Sequence, residues 1–451
     1  MTNERMNATG TRSRVRSRAG AALLAFALVS VSAASGPSAF AASGGWWYDT
    51  YDIGAVHAQG LTGDGVEVAS LGAQINADLP VFAGQNLTVA DEVVCADGGA
   101  AVSTEPTRSI VHDTTVVAYI NGNGTGTGEV RGIAPGAAVS FYANGPASDA
   151  GCFPAQYPDD LTTFGWGLQR AVDDGARIVT TSTTSQWSAG DAEAVANAVA
   201  KGVIVVVATP NPSTASPSGY PEGYNGVVAA SAVDSAGALQ VRDDGSPQAL
   251  ADTTVVAAGS ELPAVGDWNS ATWDTSLTGT GSSFASPLVA GMLAVVAQRY
   301  PEATGNQLIQ TLIHNTGVDD HPLERDETGG YGYGAAWLTH MLAVDPTQYP
   351  DVNPLMDKSS GAPSDEQVAA AAARDFALPF AETPTADATP SDSFAEYGDD
   401  AAAEPDAGDA AVPALLPIIL IVVALIVAGG IILVVVMTNA RKKKNLQGGP
   451  S

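Results

Sequence analysis

The sequence is poor in basic residues and in cysteines. Nineteen Lys and Arg residues face 48 Asp and Glu residues in a chain of 451, and the formal net charge at pH 7 is −29. Because nucleic-acid binding needs a basic surface, this acidity argues against nucleic acid as a partner. The two cysteines, Cys95 and Cys152, and the five histidines form no Cys/His cluster that would indicate zinc. The sequence therefore gives no metal or cofactor to assign.

The N-terminus has the pattern of an export signal. Several arginines precede the short apolar run Ala21–Val31, and small residues ending at Ala41 form a cleavage site. This succession is typical of a secretory signal peptide, which we predict to span residues 1–41. In an exported chain the even pair Cys95 and Cys152 favours a single disulfide, and two free thiols are the alternative.

Strand-like and helix-like patterns alternate through residues 42–350. Val203–Ala208 is a continuous and mostly β-branched apolar run, which suits a strand buried on both faces of a parallel sheet. Leu161–Asp174 and Ala192–Ala200 have the apolar spacing of helices. This alternation predicts a single three-layer α/β domain with a central parallel sheet.

The C-terminal part of the chain changes composition twice. Residues 351–412 are rich in alanine, proline and acids, which predicts a disordered linker. Residues 413–437 carry no charge and are long enough to cross a bilayer as a helix, with a buried core helix as the alternative. The tail, 438–451, contains the basic run Arg441–Lys444, which places it in the cytoplasm. We expect a single-pass type I protein of the cell membrane, with its folded domain outside the cell.

The stretch Gly279–Gly291 joins a glycine-rich loop to an apolar helix. Ser283 lies at this junction, and Pro287 suits the first helical turn, where an N–H group has no partner. The unpaired N–H groups and the positive end of the helix dipole would stabilise an oxyanion formed beside this serine. The alternative is an ordinary capped helix start.

Three motifs together resemble those of subtilisin-like serine proteases, the subtilase or peptidase S8 family. The segment from Gly281 to Pro287 resembles the family's nucleophile motif, with Ser283 as the nucleophile. The run that starts at His112 resembles the motif of the catalytic base, although Asp113 replaces its first glycine. Val206–Asn211 resembles the segment whose asparagine holds the oxyanion, with Asn211 in that role. The resemblance implies a subtilisin-like fold and endopeptidase activity on protein or peptide substrates.

Two further segments correspond to motifs of the same family but depart from them. Ser182, Thr183 and Thr184 end a segment similar to the edge strand that pairs with substrate, and the family usually has glycine where Thr184 stands. Gly72 occupies the position at which the family has the aspartate of the triad. Asp113 follows His112 directly, but side chains adjacent on a helix are expected to point apart.

The replaced aspartate leaves two hypotheses of similar weight. Loss of this carboxylate costs about four orders of magnitude in related serine proteases, so the first is a serine endopeptidase with a degraded triad. The second is a pseudoprotease that binds peptides or scaffolds a membrane complex. A membrane-tethered domain of unrelated purpose is the remaining alternative. A carboxylate within hydrogen-bond reach of His112 Nδ1 would favour the enzyme.

The order of segments along the chain also resembles one branch of this family. A signal peptide, a single disulfide, an acidic linker and a C-terminal anchor are similar to the layout of mycosins, the membrane-anchored subtilases of type VII secretion systems. This resemblance implies that components of the secretion machinery are partners. It rests on the layout more than on the motif residues.

Overall fold

The computed structural model describes residues 45–93, 99–144, 161–183, 188–212, 221–317 and 321–374. The predicted signal peptide, the 413–437 segment, the basic tail and both cysteines lie outside these ranges, as does Thr184. Within them, the helices are too short or too polar to cross a bilayer.

The described residues form nine strands, with the bounds β1 Glu67–Gly72, β2 Leu87–Val93, β3 Ala138–Ala143, β4 Ile178–Thr181, β5 Ile204–Ala208, β6 Val228–Val233, β7 Val255–Ala258, β8 Leu262–Pro263 and β9 Thr278–Gly279. The first seven strands are parallel and form the central sheet in the order β2-β3-β1-β4-β5-β6-β7. The separate antiparallel pair of β8 and β9 lies between β7 and the long central helix in sequence. The predicted α/β fold with a central parallel sheet is confirmed.

Nine α-helices are described in the same ranges. Their bounds are α1 Trp46–Thr50, α2 Ile53–Ala58, α3 Arg108–Asn121, α4 Thr163–Asp173, α5 Ala189–Ala200, α6 Ser282–Arg299, α7 Gly305–His314, α8 Leu338–Ala343 and α9 Asp365–Ala372. The two helical patterns noted in the sequence correspond to α4 and to most of α5. The helix after the glycine-rich loop is α6, whose residues 282–297 are all buried.

The sheet separates two apolar cores because successive side chains of a strand point to opposite faces. Val68 and Val206 contribute to the core on one face, which also contains the apolar side chains of α6. Ala69 and Val205, their sequence neighbours, contribute to the core on the other face, together with α4 and α5. Because α6 is apolar all round, it is stable only when fully buried, and it packs against β4, β5, β6 and β7.

Buried residues continue past the domain boundary predicted at residue 350. Leu355 and Lys358 are buried, and α9 packs on α5. Ser364 caps α9 in a reciprocal capping box with Gln367. Residues 351–374 of the predicted linker are therefore folded onto the domain, although their acidic, alanine-rich composition favoured disorder. The remainder of the predicted linker lies outside the described residues.

The direction in which strands are added to the sheet reverses between β1 and β4. The chain adds β2 and β3 on one side of β1, and then β4 to β7 in order on the other side. In open parallel sheets, ligands bind outside the carboxyl ends of the strands at such a reversal. The candidate site therefore lies at the residues that follow Gly72 at the end of β1 and Thr181 at the end of β4.

Candidate active site

The predicted nucleophile, Ser283, lies in the first turn of α6. Its side chain is largely buried, with a relative exposure of 9%, and its Oγ donates a 3.4 Å hydrogen bond to the carbonyl of Ser182. Its backbone N–H belongs to the first turn of α6, where N–H groups have no carbonyl partner within the helix. The serine hydroxyl and a free helical N–H group thus lie on the same residue.

Asn211, the predicted oxyanion residue, follows β5 and is tied to the start of α6. Its Oδ1 accepts from the backbone N–H of Ser282 at 2.9 Å and lies 3.2 Å from the hydroxyl oxygen of the same residue. Since an N–H can only donate, the bond from the Ser282 N–H identifies Oδ1 as the acceptor and Nδ2 as the donor group of the amide. The amide also lies flat against Gly281, where an added Cβ would stand 3.3 Å from both amide heavy atoms.

The residue preceding the predicted nucleophile fixes β5 against α6. Ser282 is fully buried, and its hydroxyl donates to the carbonyl of Thr209, two residues before Asn211. Together with the bond from its N–H to Asn211, this contact anchors the end of β5 at both of these residues. The position of the Asn211 amide is thus set by the helix that carries Ser283.

The predicted substrate strand is represented by Ser182 and Thr183, which follow β4. The Ser182 side chain points inward, where its hydroxyl donates to the Ser283 carbonyl at 2.9 Å and lies 2.8 Å from Ser286 Oγ. Thr183 donates its N–H to Thr181 Oγ1 at 3.3 Å. These contacts brace α6 against β4, while pairing of this segment with a substrate stays a prediction.

His112 and Asp113 form a direct hydrogen bond on α3. His112 Nδ1 lies 2.6 Å from Asp113 Oδ1, which makes the imidazole the donor, since an ionised carboxylate only accepts. The expectation that these adjacent side chains point apart is therefore wrong. The Asp113 side chain is 5% exposed and the His112 side chain 28%, so the pair is shielded on the carboxylate side and open on the imidazole side.

The position of the Asp113 carboxylate explains this contact. Its second oxygen, Oδ2, accepts from the backbone N–H of Ala73 at 2.5 Å, in the loop that follows β1. Gly72 lies directly beneath it, and a Cβ at that position would be 2.8 Å from Oδ2 and 3.0 Å from Phe141. The carboxylate is thus held by a tertiary contact rather than by helix geometry alone, and the imidazole is close enough to donate to the remaining oxygen.

A continuous set of contacts joins these elements at the carboxyl edge of the sheet. Thr181 Oγ1 donates to the Leu71 carbonyl at 3.3 Å and links the end of β4 to the end of β1. The bonds from Ser182 to Ser283 and from Ser282 to Asn211 extend the set to α6 and β5. Among the hydrogen bonds between described residues, none joins His112 to Ser283. The structure therefore brings the predicted residues to one sheet edge without the final base–nucleophile bond.

The other histidines make structural contacts. His57 Nε2 pairs with the Ile133 carbonyl at 2.8 Å, His340 Nδ1 with that of Thr316 at 2.7 Å, and His314 stacks on Tyr349. His321 Nε2 forms a hydrogen bond of 2.7 Å with the hydroxyl group of Thr316. In the part of the chain that the structure describes, no three His, Cys, Asp or Glu side chains are grouped to hold a metal.

The side chains of Asp191 and Lys358 are buried elsewhere in the fold. Burial raises the pKa of Asp191 to about 6, although its carboxylate accepts from the N–H and the hydroxyl of Thr162. Burial lowers the pKa of Lys358 to about 7, and its amine donates to Thr254 Oγ1 at 2.9 Å and to the Asp252 carbonyl. Hydrogen bonds to neighbouring residues account for both buried positions. We therefore assign these two side chains to the structure of the core and not to the candidate site.

Comparison with known proteins identifies the family of this chain. The profile described as "Subtilase family" (peptidase S8) matches residues 63–334. The chain is 30% identical over 262 residues to subtilisin DY of Bacillus licheniformis, covering 56% of this chain and 84% of that protein. It is 25% identical over 272 residues to a thermostable alkaline protease of Halalkalibacterium halodurans, covering 59% of this chain and 66% of that protein. The chain belongs to the subtilase family of serine proteases.

Structural similarity supports the fold alone. The PatG macrocyclase in complex with peptide aligns with a TM-score of 0.50 at 13% identity, covering 64% of this chain and 94% of that chain. Fervidolysin of Fervidobacterium pennivorans is 28% identical over 292 residues, and the match covers 60% of this chain and 40% of that protein. The chain thus spans less than half of some relatives and most of others.

Proposed function

We propose that the protein is a serine endopeptidase that cleaves protein or peptide substrates. Ser283 is the nucleophile, His112 the general base, and Asn211 together with the Ser283 N–H forms the oxyanion site. The observation that carries this proposal is the amide of Asn211, which Ser282 orients at the N-terminus of α6 beside the serine. Donors fixed before the reaction stabilise the charge that develops on the carbonyl oxygen.

The proposed reaction follows from these positions. Ser283 Oγ attacks the substrate carbonyl carbon while its proton passes to His112 Nε2. The carbonyl oxygen becomes an oxyanion, which Asn211 Nδ2 and the Ser283 N–H stabilise. When the tetrahedral intermediate collapses, His112 gives the proton to the leaving amine and an acyl-enzyme remains. Water, deprotonated by the same imidazole, then releases the acyl group and restores the serine.

One contact must change before this reaction begins. Ser283 Oγ donates to the Ser182 carbonyl, so its side chain has to turn toward His112. Catalytic hydrogen bonds are often long or misaligned without substrate and shorten in the complex. A substrate strand lying along Ser182 and Thr183 would compete for the backbone groups at this position and favour the turn.

The same contact favours a second candidate function. A serine hydroxyl bonded to a backbone carbonyl rather than to the base also suits a pseudoprotease, which would keep the groove and bind peptides without cleaving them. In that case the protein would act as a peptide-binding or scaffolding part of a membrane complex.

We also propose that the protein is exported and held at the cell membrane by residues 413–437, with the protease domain outside the cell. The support is the charge-free composition of this segment and the basic run that follows it. The mycosin-like order of segments supports an association with type VII secretion components. Protease accessibility of the domain in intact cells, before and after deletion of 413–451, tests this topology.

A serine-directed probe separates the two candidate functions. The full-length protein in detergent would be treated with a fluorophosphonate and assayed on an unfolded protein substrate. We expect labelling and cleavage by the wild type and by Ser235→Ala, an exposed control, and neither by Ser283→Ala. A folded wild-type protein that neither labels nor cleaves at any pH would overturn the peptidase and favour the pseudoprotease.

A further inference from the structure

Gly72 and Asp113 share one space at the carboxyl end of β1. A Cβ at position 72 would lie 2.8 Å from Asp113 Oδ2 and 2.9 Å from Asp113 Cγ, closer than real Cβ atoms approach other groups. Gly72 lacks the left-handed backbone that would call for glycine, since its φ lies outside the positive range. The glycine is therefore explained by the space that the Asp113 carboxylate occupies.

The carboxylate in this space is fixed at two points. Oδ2 accepts from the Ala73 N–H, the first backbone donor after β1, and Oδ1 accepts from His112 Nδ1 at 2.6 Å. Hydrogen bonds to an ionised carboxylate are shorter and stronger than those between neutral groups. Because the Asp113 side chain is 5% exposed, water does not compete strongly for either oxygen.

From these contacts we infer that Asp113 is the orienting carboxylate of the catalytic triad, supplied by the helix of the base instead of by the end of β1. This inference rests on the proposed function. The carboxylate keeps the proton on His112 Nδ1, so that Nε2 is free to accept the proton from Ser283 Oγ. It also stabilises the imidazolium that forms. Asp113 itself is not protonated during the reaction, and it acts through His112 as a positioning residue.

The two positions form an exchanged pair relative to the family motifs. The motif of the acid has aspartate where this chain has Gly72, and the motif of the base has glycine where it has Asp113. An aspartate at 72 together with a glycine at 113 would therefore place a carboxylate in the same space from the opposite side. This exchange predicts that neither position tolerates the family residue alone, whereas both together are compatible.

Asp113→Asn tests the inference without emptying the space. The asparagine oxygen retains the bond from the Ala73 N–H, and its amide group then faces His112 Nδ1 as a donor. The imidazole is thereby forced to carry its proton on Nε2, and it cannot accept from Ser283. We expect kcat to fall by about 10⁴ with little change in KM, by analogy with related triads.

Thr114→Val is the matched control for a purely structural role. Thr114 Oγ1 accepts from the Asn76 N–H at 3.0 Å, so it fastens the same loop to the same helix without touching His112. If Asp113 only holds this loop, Asp113→Asn, which retains the bond from the Ala73 N–H, should lose no more activity than Thr114→Val, which removes a bond of the same loop. We expect Thr114→Val to remain within about tenfold of wild type.

The exchange variant gives a test by rescue. Asp113→Gly and Gly72→Asp are each expected to lose at least about 10³-fold in kcat, and the double variant to recover at least about tenfold over either. A strongly deshielded Nδ1 proton in the NMR spectrum, present in wild type and double variant but absent in Asp113→Gly, reports the pair without requiring activity.

The outcomes separate this inference from the proposed function. An active wild type with unimpaired Asp113→Asn would overturn the role of Asp113 and leave the peptidase intact. An inactive wild type that still shows the Nδ1 proton would overturn the peptidase while keeping the His112–Asp113 pair. Absence of that proton in folded wild-type protein, as judged by its thermal transition, would refute the pair itself.

Discussion

The amide of Asn211 has two roles, one as a structural hydrogen-bond acceptor and one as a proposed oxyanion donor. Substitution by aspartate distinguishes the two roles. Oδ1 accepts from the Ser282 N–H at 2.9 Å and so holds the loop after β5 to α6. Nδ2 is proposed to donate to the oxyanion. Asn211→Asp keeps an oxygen for Ser282 but replaces the donor by a second, charged oxygen. Asn211→Ala removes both groups.

The expected magnitudes follow from these contacts. Loss of one oxyanion donor lowers kcat by about 10² to 10³, which is the value measured in subtilisin, a member of this family, and it corresponds to about 3 to 4 kcal/mol. Both variants should show at least this loss, with KM nearly unchanged, because the donor acts mainly on charge that develops in the transition state. The negative charge of Asn211→Asp should deepen the loss through repulsion of the oxyanion.

Stability should distinguish the two variants. Asn211→Ala leaves the N–H of Ser282 without its acceptor, which costs about 1 to 3 kcal/mol in the free energy of unfolding. Asn211→Asp keeps that acceptor, and a carboxylate beside the N-terminus of α6 is favourable by about 0.3 to 1 kcal/mol. We therefore expect a lowered thermal transition for alanine alone.

The assay is steady-state hydrolysis of a peptide substrate, run beside thermal unfolding of the same preparations. Asn269→Asp, an exposed asparagine, controls for the added charge. If Asn211→Asp retained wild-type kcat, Nδ2 would not be an oxyanion donor and the assignment of the site would fail. If its activity fell only together with its thermal transition, the residue would be a loop anchor.

Two further predictions concern buried groups outside the site. Burial lowers the pKa of Lys358 from 10.5 to about 7, so at intermediate pH the unfolded chain binds a proton that the folded one does not. Stability of wild type relative to Lys358→Met should therefore rise between pH 8 and 10, by at most about 1.4 kcal/mol per pH unit, and a flat difference in urea titrations would contradict it. Gly165→Ala would place a Cβ 2.0 Å from Asp191 Oδ1 and should cost about 1 to 3 kcal/mol in the same titration. Gly54→Ala is the control, because a Cβ at this position would lie at an ordinary contact distance of 3.6 Å from Tyr48. This variant should be as stable as the wild type or more stable. If both variants changed the free energy of unfolding equally, the loss of a helical glycine, and not the clash with Asp191, would explain the effect.

The elements that could be predicted from the sequence are those whose own apolar pattern specifies which side chains are buried. The run Val203–Ala208 became β5, and Leu161–Asp174 contains α4, because uniform or helically spaced apolar side chains specify burial directly. The segment 351–374 escaped prediction because its burial depends on a few residues, such as Leu355, within an acidic composition. Composition averages over such residues, whereas packing depends on each one.

The site was predictable where its residues lie in contiguous motifs and not where it depends on contacts across the fold. Ser283 and Asn211 follow recognisable segments, and the structure joins them through Ser282. The contact between His112 and Asp113 was missed because helix geometry by itself directs neighbouring side chains apart. What turns the carboxylate is the Ala73 N–H, which directly follows β1 and is brought to α3 by the position of that strand in the sheet.

The proposed exchange of Gly72 and Asp113 changes which part of the structure holds the triad together. Because the base and the acid are adjacent residues of α3, the helix itself keeps them close together. Their distance does not depend on how two separate elements pack against each other. The orientation of the carboxylate still requires docking, because its second oxygen is held by the loop after β1. A disturbance of that loop should therefore rotate the Asp113 side chain away from the His112 imidazole, although the two residues remain neighbours on α3. An imidazole freed in this way would lose its tautomer preference while α3 remained folded, so activity should be lost at a milder perturbation than helical structure.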